Sequence, residues 1–270
     1  MRETSAGFPA AVLLLAAGEG RRMGAAMPKA FLSLGPETVI ERSARQLAGS
    51  PRVCAMIPVV PPVDADADRG ATSSSSPSSS SSCVARALAR LAQRWTGPAA
   101  LLPAVTGGAT RQESVANGLR ALRAARPDIE WVLVHDAARC MVEPADVDAV
   151  LAAAEATGAA IPVVPVVDTI KELRGDRIVR TADRSRLARA QTPQAFRVEL
   201  LERALRDADA AGFLGTDCAS LVERLGLTVR TCPGREANLK LTTPADLSAV
   251  VRALADAGSA DPESDLGRET

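Results

Sequence analysis

The stretch from Val12 to Lys29, VLLLAAGEGRRMGAAMPK, constrains the fold of this chain more than any other part of it. The apolar run from Ala10 to Ala17 is shorter than an ordinary helix and predicts a buried β-strand. Gly18 and Gly20 follow at once, so the strand is expected to end in a glycine turn. Because glycines let backbone N–H groups approach an anion closely, the turn is a candidate phosphate site.

Nearby cations and the spacing of the glycines indicate which kind of phosphate site this is. Arg21, Arg22 and Lys29 lie within a dozen residues of the turn. A dinucleotide-binding fingerprint needs G-x-G-x-x-G, and a Walker A loop ends in Gly-Lys-Ser/Thr; this turn matches neither. The pattern L-x-A-G-x-G-x-R-M-x-x-x-x-P-K instead resembles the signature loop of sugar-nucleotide and cytidylyl transferases.

The composition fits one large α/β domain or two small ones and gives no support for a nucleic-acid or membrane partner. The 270 residues are 47% hydrophobic, which is enough for a sizeable core. Lys+Arg and Asp+Glu balance at 32 each, so net charge favours neither nucleic acid nor a membrane surface. The absence of Tyr argues against base-stacking platforms. No apolar run approaches the roughly 18 residues that a membrane span needs.

Cysteine and histidine usage predicts free thiols and a reducing, cytoplasmic location. The cysteines form no C-x-x-C pair, and the single histidine, His135, leaves no Cys/His metal cluster. The N-terminal apolar run leads directly into a Gly-Arg-Arg turn, so a signal peptide is not predicted. The cysteines are Cys54, Cys83, Cys140, Cys218 and Cys232.

Apolar β-branched runs alternate with amphipathic stretches, which predicts an α/β fold with a doubly wound, mainly parallel sheet. Strands are predicted at residues 10–17, 53–60, 99–105, 131–134, 160–167, 228–232 and 238–243. Helices are predicted at residues 38–47, 84–95, 144–157, 198–210, 218–225 and 244–257, with another after Ser114.

One domain, residues 10–258, accounts for this pattern and follows an N-terminal extension of residues 1–9. Residues 64–83 contain TSSSSPSSSSS, which cannot bury enough apolar area to offset its ordering entropy, and they predict a disordered insertion. Residues 168–183 predict a two-stranded arm that is not stable alone and needs a partner subunit. Residues 259–270 predict a disordered tail.

Two further patterns suggest nucleotide and metal binding. Gly107 and Gly108 precede a helix with Arg111 in its first turn, which suits a nucleotide, although a helix cap explains the glycines equally well. Asp136 follows a predicted central strand, where side chains point into the ligand crevice of an open α/β sheet. Because Mg²⁺ carried by a nucleotide triphosphate needs one or two carboxylates, Asp136 is the candidate metal ligand, with capping of the next turn as the alternative. His135 is interpreted as structural.

Eight segments occur in one order along the chain: AAGEGRRMGAAMPK, GGATRQESVANGL, VHDAAR, DTIK, DRSRL, QTPQAF, TDCASLVE and NLKLTTPADL. With them, the region from about Val12 to Leu254 resembles the 2-C-methyl-D-erythritol 4-phosphate cytidylyltransferases of the non-mevalonate isoprenoid route. The resemblance implies a Rossmann-like α/β nucleotidyltransferase fold with a protruding β-arm that is exchanged across a homodimer. It also implies CTP and a sugar-alcohol phosphate as substrates, with Mg²⁺ or another divalent cation as cofactor.

The resemblance implies roles for individual residues. Arg22 and Lys29 match the pair that stabilises the transition state, and Asp136 falls on the metal-binding position. Thr169, in the arm, falls beside the substrate of the neighbouring subunit. The glycine turn and the resemblance together assign nucleotide binding to Ala16, Ala17, Gly18, Gly20, Gly108, Ala109, Arg111, Ser114 and Arg139.

Two more charged residues match positions that orient the sugar phosphate in the family. These are Arg184 and Lys240. The alternatives are that Arg184 is a surface partner of Asp183 and that Lys240 is a strand-edge lysine. Arg111 and Arg139 are interpreted equally well as members of structural ion pairs.

Departures from the family pattern and rival functions complete the expectations. Cys140 stands where the family usually has proline, which is expected to loosen that loop. The chain ends soon after its last predicted helix, leaving no room for the cyclodiphosphate synthase domain fused in some relatives.

A ribitol 5-phosphate cytidylyltransferase shares the first loop and VHDAAR, but DRSRL and QTPQAF favour methylerythritol phosphate. A non-catalytic nucleotide-binding regulator is disfavoured by Arg22, Lys29 and Asp136.

Overall fold

A computed structural model describes residues 8–18, 27–62 and 80–259 of the chain. Most of the predicted N-terminal extension and insertion, and the tail from residue 260, lie outside the described residues, as do Gly20 and Arg22. Within the described ranges, nine strands form one sheet and two strand pairs stand apart. The strands are β1 (Ala10–Leu15), β2 (Ser33–Leu34), β3 (Glu37–Thr38), β4 (Val53–Val60), β5 (Ala100–Leu101), β6 (Val105–Thr106), β7 (Trp131–Asp136), β8 (Ala159–Pro165), β9 (Lys171–Arg174), β10 (Arg177–Thr181), β11 (Ala188–Ala190), β12 (Gln194–Arg197) and β13 (Arg230–Pro233).

Seven α-helices lie in the same part of the chain, and side-chain caps define several of their starts. Thr38, Thr110 and Asp217 each accept a hydrogen bond from the backbone N–H three residues further on. No helix in the described ranges has the length and apolar character needed to cross a membrane. The helices are α1 (Val39–Ala48), α2 (Ser80–Arg94), α3 (Arg111–Ala125), α4 (Pro144–Ala154), α5 (Val198–Ala210), α6 (Cys218–Arg224) and α7 (Pro244–Ser259).

The main sheet is mixed and mostly parallel. Its order is β11–β8–β12–β7–β1–β4–β5, with β13 added to β8 and β6 added to β4. Strand β1 runs parallel to both β4 and β7, whereas β12 runs antiparallel to both β7 and β8. With helices packed on both faces, the predicted α/β, doubly wound and mainly parallel architecture is confirmed.

Alternate residues of β1 pack into two different hydrophobic cores, one on each face of the sheet. Val12 and Leu14 belong to the core that contains residues of α1, α2 and α4. Ala11 and Leu13 belong to the core that contains residues of α3, α5 and α6. Side chains alternate along a strand, so a strand covered on both faces must be apolar throughout. This explains why the opening run of the chain is continuous rather than alternating.

A smaller third core fixes the segment that follows β7. Cys140 is fully buried there beside Val39, Leu241 and Val250. Its burial raises the pKa of the thiol to about 11. The thiol is therefore protonated at neutral pH and packs as a small apolar group. The side chain of Cys140 is enclosed by this core, and the expected loosening relative to proline stays a prediction.

The predicted arm is present as a two-stranded antiparallel ribbon of β9 and β10, separate from the main sheet. All nine residues of the two strands are exposed. The exposed side chains include Leu173, Ile178 and Val179, and Val167 at the base of the arm is 68% exposed. An isolated ribbon of two strands is marginally stable in water, and exposed apolar side chains of this kind mark a candidate interaction surface.

The prediction of a strand at residues 238–243 is wrong, because backbone groups of this segment bond to a loop carbonyl and to a helix-capping carboxylate. Leu241 donates its N–H to the carbonyl of Ala138 at 2.9 Å. Thr242 and Thr243 both donate their N–H groups to the carboxylate of Asp246 in the first turn of α7, at 2.8 and 2.7 Å. The backbone N–H groups of Thr242 and Thr243 therefore take part in the cap of α7 and are not available for pairing with another strand.

Three other sequence expectations need correction. Helix α2 begins at Ser80, so residues 80–83 of the predicted insertion are helical, in keeping with the preference of serine for helix starts. The predicted strand at 99–105 is two short strands, β5 and β6. Strands β11 and β12 were not predicted, because their few residues carry no alternation long enough to read.

Candidate active site

The carboxyl ends of three neighbouring strands bring the predicted site segments to one edge of the sheet. Leu15, the last residue of β1, is level with Asp136 of β7 and with Val59 of β4. Ala16 then donates its N–H to Val59 at 2.7 Å, and Gly107 donates its N–H to Val60 at 2.8 Å. Residues 16–18, the glycine pair and Asp136 therefore lie along the crevice where ligands bind in open α/β sheets.

The two glycines after β6 are required by close packing. A Cβ at Gly107 would lie 2.5 Å from the Cβ of Ala17 and 2.9 Å from Oγ of Ser114. A Cβ at Gly108 would lie 2.2 Å from Cγ of Glu113. Gly108 also donates its N–H to Ser114 Oγ at 3.0 Å. The structure thus brings Ala17, Gly108 and Ser114 together as a strip of small residues.

Asp136 is held between two cations from distant parts of the chain. Its Oδ1 accepts hydrogen bonds from Nε and Nη2 of Arg111, at 3.3 and 3.2 Å, and its Oδ2 accepts one from Nζ of Lys240 at 2.6 Å. Burial by itself would raise the pKa of Asp136, but the charges of Arg111 and Lys240 outweigh burial and hold the pKa well below its usual range. The carboxylate is therefore ionised at any physiological pH.

Arg139 makes backbone contacts instead of joining this ion pair. Its Nη1 donates to the carbonyl of Asn238 at 2.8 Å and its Nη2 to that of Ala190 at 3.3 Å. Burial lowers the pKa of Arg139 from its ordinary value. The described contacts of Arg139 are thus to backbone carbonyls, and its role in nucleotide binding stays a prediction. For Arg111, the alternative of an ion pair is observed directly in its contact with Asp136.

The remaining predicted residues come from other segments, and some of them lie outside the described ranges. Lys29 begins a 3₁₀ turn, Lys29–Phe31, after the first loop. Arg184 lies in an exposed 3₁₀ turn after the arm and donates to the carbonyl of Val167 at 2.5 Å, while Asp183 accepts from Ser185. Thr169 is exposed at the base of the arm. Within one chain, therefore, the described contacts join Arg111 and Lys240 to Asp136 but leave Arg184 attached to the arm.

A model of the family described as 2-C-methyl-D-erythritol 4-phosphate cytidylyltransferase matches residues 10–255. The chain belongs to this family. The match covers every segment of the candidate site, from the first strand to the residues around Lys240, and extends into α7. The family resemblance inferred from the eight sequence segments is confirmed.

Individual relatives agree with the family match. A 2-C-methyl-D-erythritol 4-phosphate cytidylyltransferase from Geobacillus thermodenitrificans is 42% identical over 87% of this chain and 92% of its own. A bifunctional enzyme IspD/IspF from Bradyrhizobium sp. is 44% identical over 87% of this chain, which spans 54% of that relative's length. The crystal structure of 2-C-methyl-D-erythritol 4-phosphate cytidylyltransferase from Thermus thermophilus is 32% identical over 92% of this chain and 98% of its own, with a TM-score of 0.65.

Several family positions that we did not single out lie in the site. Thr192 accepts a hydrogen bond from the backbone N–H of Asp136 at 3.1 Å. Cys218 contacts Nη1 of Arg111 at 3.4 Å, and Glu113 accepts from the N–H of Ala109 at 2.8 Å. All three lie within segments that carried the resemblance, QTPQAF, TDCASLVE and GGATRQESVANGL. The structure brings these segments together around Asp136 and Arg111, and their side-chain partners depend on contacts across the sheet.

We expect Asp136→Asn to lower the free energy of unfolding at pH 7 by about 2 kcal/mol, because Arg111 and Lys240 lose their shared counter-charge. The value is below that of a fully enclosed pair, since the side chain of Lys240 is 37% exposed. The pKa of Asp136 is lowered by folding, so its contribution is complete above the unfolded-state value of about 3.9 and is lost as the pH falls. Urea unfolding at pH 7 and pH 3 measures the difference, which should shrink at the lower pH.

The matched control is Asp128→Asn, which removes an exposed carboxylate paired with Arg126 at 2.8 Å. This change should affect the free energy of unfolding little at either pH. An equal loss for Asp136→Asn at both pH values, or no loss at pH 7, would contradict the electrostatic role of the cluster.

Proposed function

We propose that the protein transfers CMP from CTP to 2-C-methyl-D-erythritol 4-phosphate and releases pyrophosphate. The observation that carries this proposal is the cluster of Arg111, Asp136 and Lys240 at the carboxyl ends of the strands, beside the small-residue strip of Ala17, Gly108 and Ser114. An anionic nucleotide and an anionic acceptor need such cations side by side. Membership of the cytidylyltransferase family supports the choice of substrates.

The small-residue strip is proposed to hold the cytidine. Bulky side chains are absent from Ala16, Ala17 and Gly18 after β1 and from Gly108 and Ala109 before α3. Backbone N–H and carbonyl groups can therefore come close to the base and ribose. The start of α3 supports the phosphates as well, because a helix N-terminus favours an anion.

The chemistry needs positioning and charge neutralisation rather than a protein nucleophile. A phosphate oxygen of the sugar phosphate forms a bond to the α-phosphorus of CTP, and the bond from that phosphorus to the bridging oxygen of the pyrophosphate leaving group breaks in line with it. Negative charge grows on the oxygens around the α-phosphorus. We assign its neutralisation to Arg22 and Lys29, with Gly20 in the segment that connects β1 to these residues in the sequence.

The acceptor is proposed to lie on the Lys240 side of the cluster. Lys240 contacts Asp136, and a phosphate would offer it a second anionic partner. Arg184 and Thr169 lie by the arm, so both would reach an acceptor held on another subunit. We therefore propose a homodimer in which each arm completes the partner's site, covering the apolar side chains of the ribbon.

A divalent cation, Mg²⁺ in the simplest case, is proposed to arrive with the nucleotide. In the described ranges no three Asp, Glu, His or Cys side chains are grouped so that they could hold a metal by themselves. A single carboxylate, Asp136, fits an ion whose other ligands are phosphate oxygens and water. Asp136 would exchange its contact with Lys240 or Arg111 for the ion. When bound, the ion would offset charge on the triphosphate.

The reaction is proposed to take place in the cytoplasm. All five cysteines lie in the described ranges, and each of them is a free thiol. Buried free thiols such as those of Cys218 and Cys232 are typical of a reducing compartment.

Pyrophosphate release from CTP should depend on the acceptor. With Mg²⁺ present, we expect 2-C-methyl-D-erythritol 4-phosphate to give turnover and ribitol 5-phosphate to give a kcat/KM lower by at least about a hundredfold, as for substrates that fail to match buried polar groups. A coupled pyrophosphate assay with the two acceptors in parallel measures this. Equal rates, or a preference for ribitol phosphate, would overturn the assigned acceptor.

Removing either cation of the first loop should slow the chemical step without unfolding the protein. We expect Arg22→Ala and Lys29→Ala each to lower kcat at least about a hundredfold, the usual loss for a donor that meets transition-state charge. Arg126→Ala is the control, because Arg126 pairs with Asp128 at the far end of α3. Steady-state kinetics on the folded variants measures kcat. An unchanged kcat in either loop variant would contradict the role assigned to that residue in stabilising the transition state.

Placing a charge in the arm should weaken the dimer. Ile178→Asp puts a carboxylate on a side chain that is 62% exposed and that a dimer would bury, so we expect the dimer dissociation constant to rise at least about tenfold. Sedimentation velocity measures it, with kcat expected to fall at low protein concentration. Leu214→Asp, 64% exposed outside the arm, is the control. A monomeric wild type, or an Ile178→Asp dimer of unchanged affinity, would contradict the arm-mediated dimer.

A further inference from the structure

The only histidine of the chain is fully buried beside the proposed metal ligand, yet the proposed chemistry does not use it. His135 is the next-to-last residue of β7 and has no exposed surface. Its Nδ1 lies 3.1 Å from Oγ1 of Thr192, and its Nε2 lies 3.2 Å from the backbone oxygen of Arg139. Both ring nitrogens therefore have one polar neighbour each, supplied by different segments.

The neighbours determine which nitrogen carries the proton. The carbonyl oxygen of Arg139 can only accept, so Nε2 of the neutral ring must donate to it. Nδ1 is then an acceptor, and the Thr192 hydroxyl must donate to it. The oxygen of that hydroxyl remains available for the N–H of Asp136, which lies 3.1 Å away. In the opposite tautomer, the unprotonated Nε2 would face the carbonyl oxygen of Arg139, so that two acceptors would lie 3.2 Å apart with no proton between them.

These bonds belong to a closed ring of four hydrogen bonds. His135 Nε2 donates to the Arg139 carbonyl, and Arg139 Nη1 donates to the Asn238 carbonyl at 2.8 Å. Asn238 Nδ2 donates to the Thr192 carbonyl at 3.0 Å, and Thr192 Oγ1 donates back to His135 Nδ1. His135, Thr192 and Asn238 are at most 4% exposed, so water has little access to the bonds among these three residues.

The ring joins two of the segments that form the cation cluster to the segment that precedes β12. One segment contains His135 and Asp136, the second contains Thr192, and the third contains Asn238, two residues before Lys240. The Thr192 hydroxyl fixes the backbone N–H of Asp136 directly, and the ring fixes the start of the segment that carries Lys240. The separation of 2.6 Å between Lys240 and Asp136 thus depends on the same bonds.

We propose that His135, as the Nε2–H tautomer, is a positioning residue for the transfer reaction, acting through Thr192 to hold Asp136 and Lys240 in register. The proposal rests on the proposed function, since it assumes that this pair serves the substrates. The ring positions Asp136 and Lys240 for the reaction. None of its groups donates or accepts a proton during the transfer.

The test compares Thr192→Val, which keeps the shape of the side chain but removes its hydroxyl, with Thr192→Ser, which keeps the hydroxyl. Thr192→Val leaves His135 Nδ1 and the Asp136 N–H without partners, so we expect kcat to fall about tenfold while KM for CTP stays within about twofold. Thr192→Ser should retain kcat within about twofold. If the hydroxyl of Thr192 served stability alone, Thr192→Val would lower the melting temperature without lowering kcat selectively over KM.

Thr157→Val is the matched control. It removes a hydroxyl that donates to the carbonyl of Ala159 at 3.0 Å, at the start of β8 and hence at the opposite edge of the sheet. Its kcat should equal that of the wild type. Wild-type kcat in folded Thr192→Val, or an equal loss in Thr192→Ser, would overturn the proposal.

A second measurement applies even if Thr192→Val does not fold. Because the chain has one histidine, a long-range ¹H–¹⁵N spectrum of the untagged, ¹⁵N-labelled wild type reports on His135 alone. We expect a protonated Nε2 and an unprotonated Nδ1 at pH 7; the reverse tautomer would overturn the proposal. The failure of the two proposals can be told apart, because a wild type without turnover contradicts the proposed function, whereas the spectrum tests the ring independently of activity.

Discussion

The buried carboxylate of Asp136 is the charge on which the rest of the candidate site depends. A carboxylate at the end of a central strand loses most of its hydration, and it stays ionised only because Arg111 and Lys240 are held against it. Those residues come from the start of α3 and from the segment before α7, 25 and 104 positions away in the chain. One electrostatic requirement therefore ties together three segments that share no local structure. A ligand that brings its own charges can exchange with these contacts without leaving any of the three charges unpaired.

The antiparallel strand β12 sets the geometry around that carboxylate. It lies between β7 and β8, which a purely parallel sheet would place next to each other. This insertion brings Thr192, just before β12, to the backbone of Asp136 and His135. It also makes the chain leave the sheet after β8 and return through β11 on the other side of β8. The arm is the segment between β8 and β11. The antiparallel strands β11 and β12 therefore position both the base of the arm and the residues around Asp136.

Much of this architecture follows from the sequence for plain physical reasons. The continuous apolar run of β1 predicts a strand buried on both faces, and its alternate residues enter two cores. The caps at Thr38 and Asp217 mark helix starts because their side chains satisfy exposed backbone N–H groups. The glycine pair before α3 and the carboxylate after β7 also lie at one edge of the sheet, as expected for residues at the carboxyl ends of parallel strands. Short strands such as β11 and β12 carry too few residues for a periodic signal.

The sequence alone determined the α/β class, the positions of the long elements and the family, and it supplied the segments that are proposed to form the site. Tertiary structure alone decided which side chains meet: Arg111 and Lys240 at Asp136, Thr192 at His135, and Arg139 at backbone carbonyls. It also decided that residues 238–243 cap α7 instead of forming a strand. The physical reason is that periodicity and turn signals act over a few residues, whereas the pairing of a buried charge or hydroxyl depends on which distant segment lies within hydrogen-bonding distance once the sheet has formed.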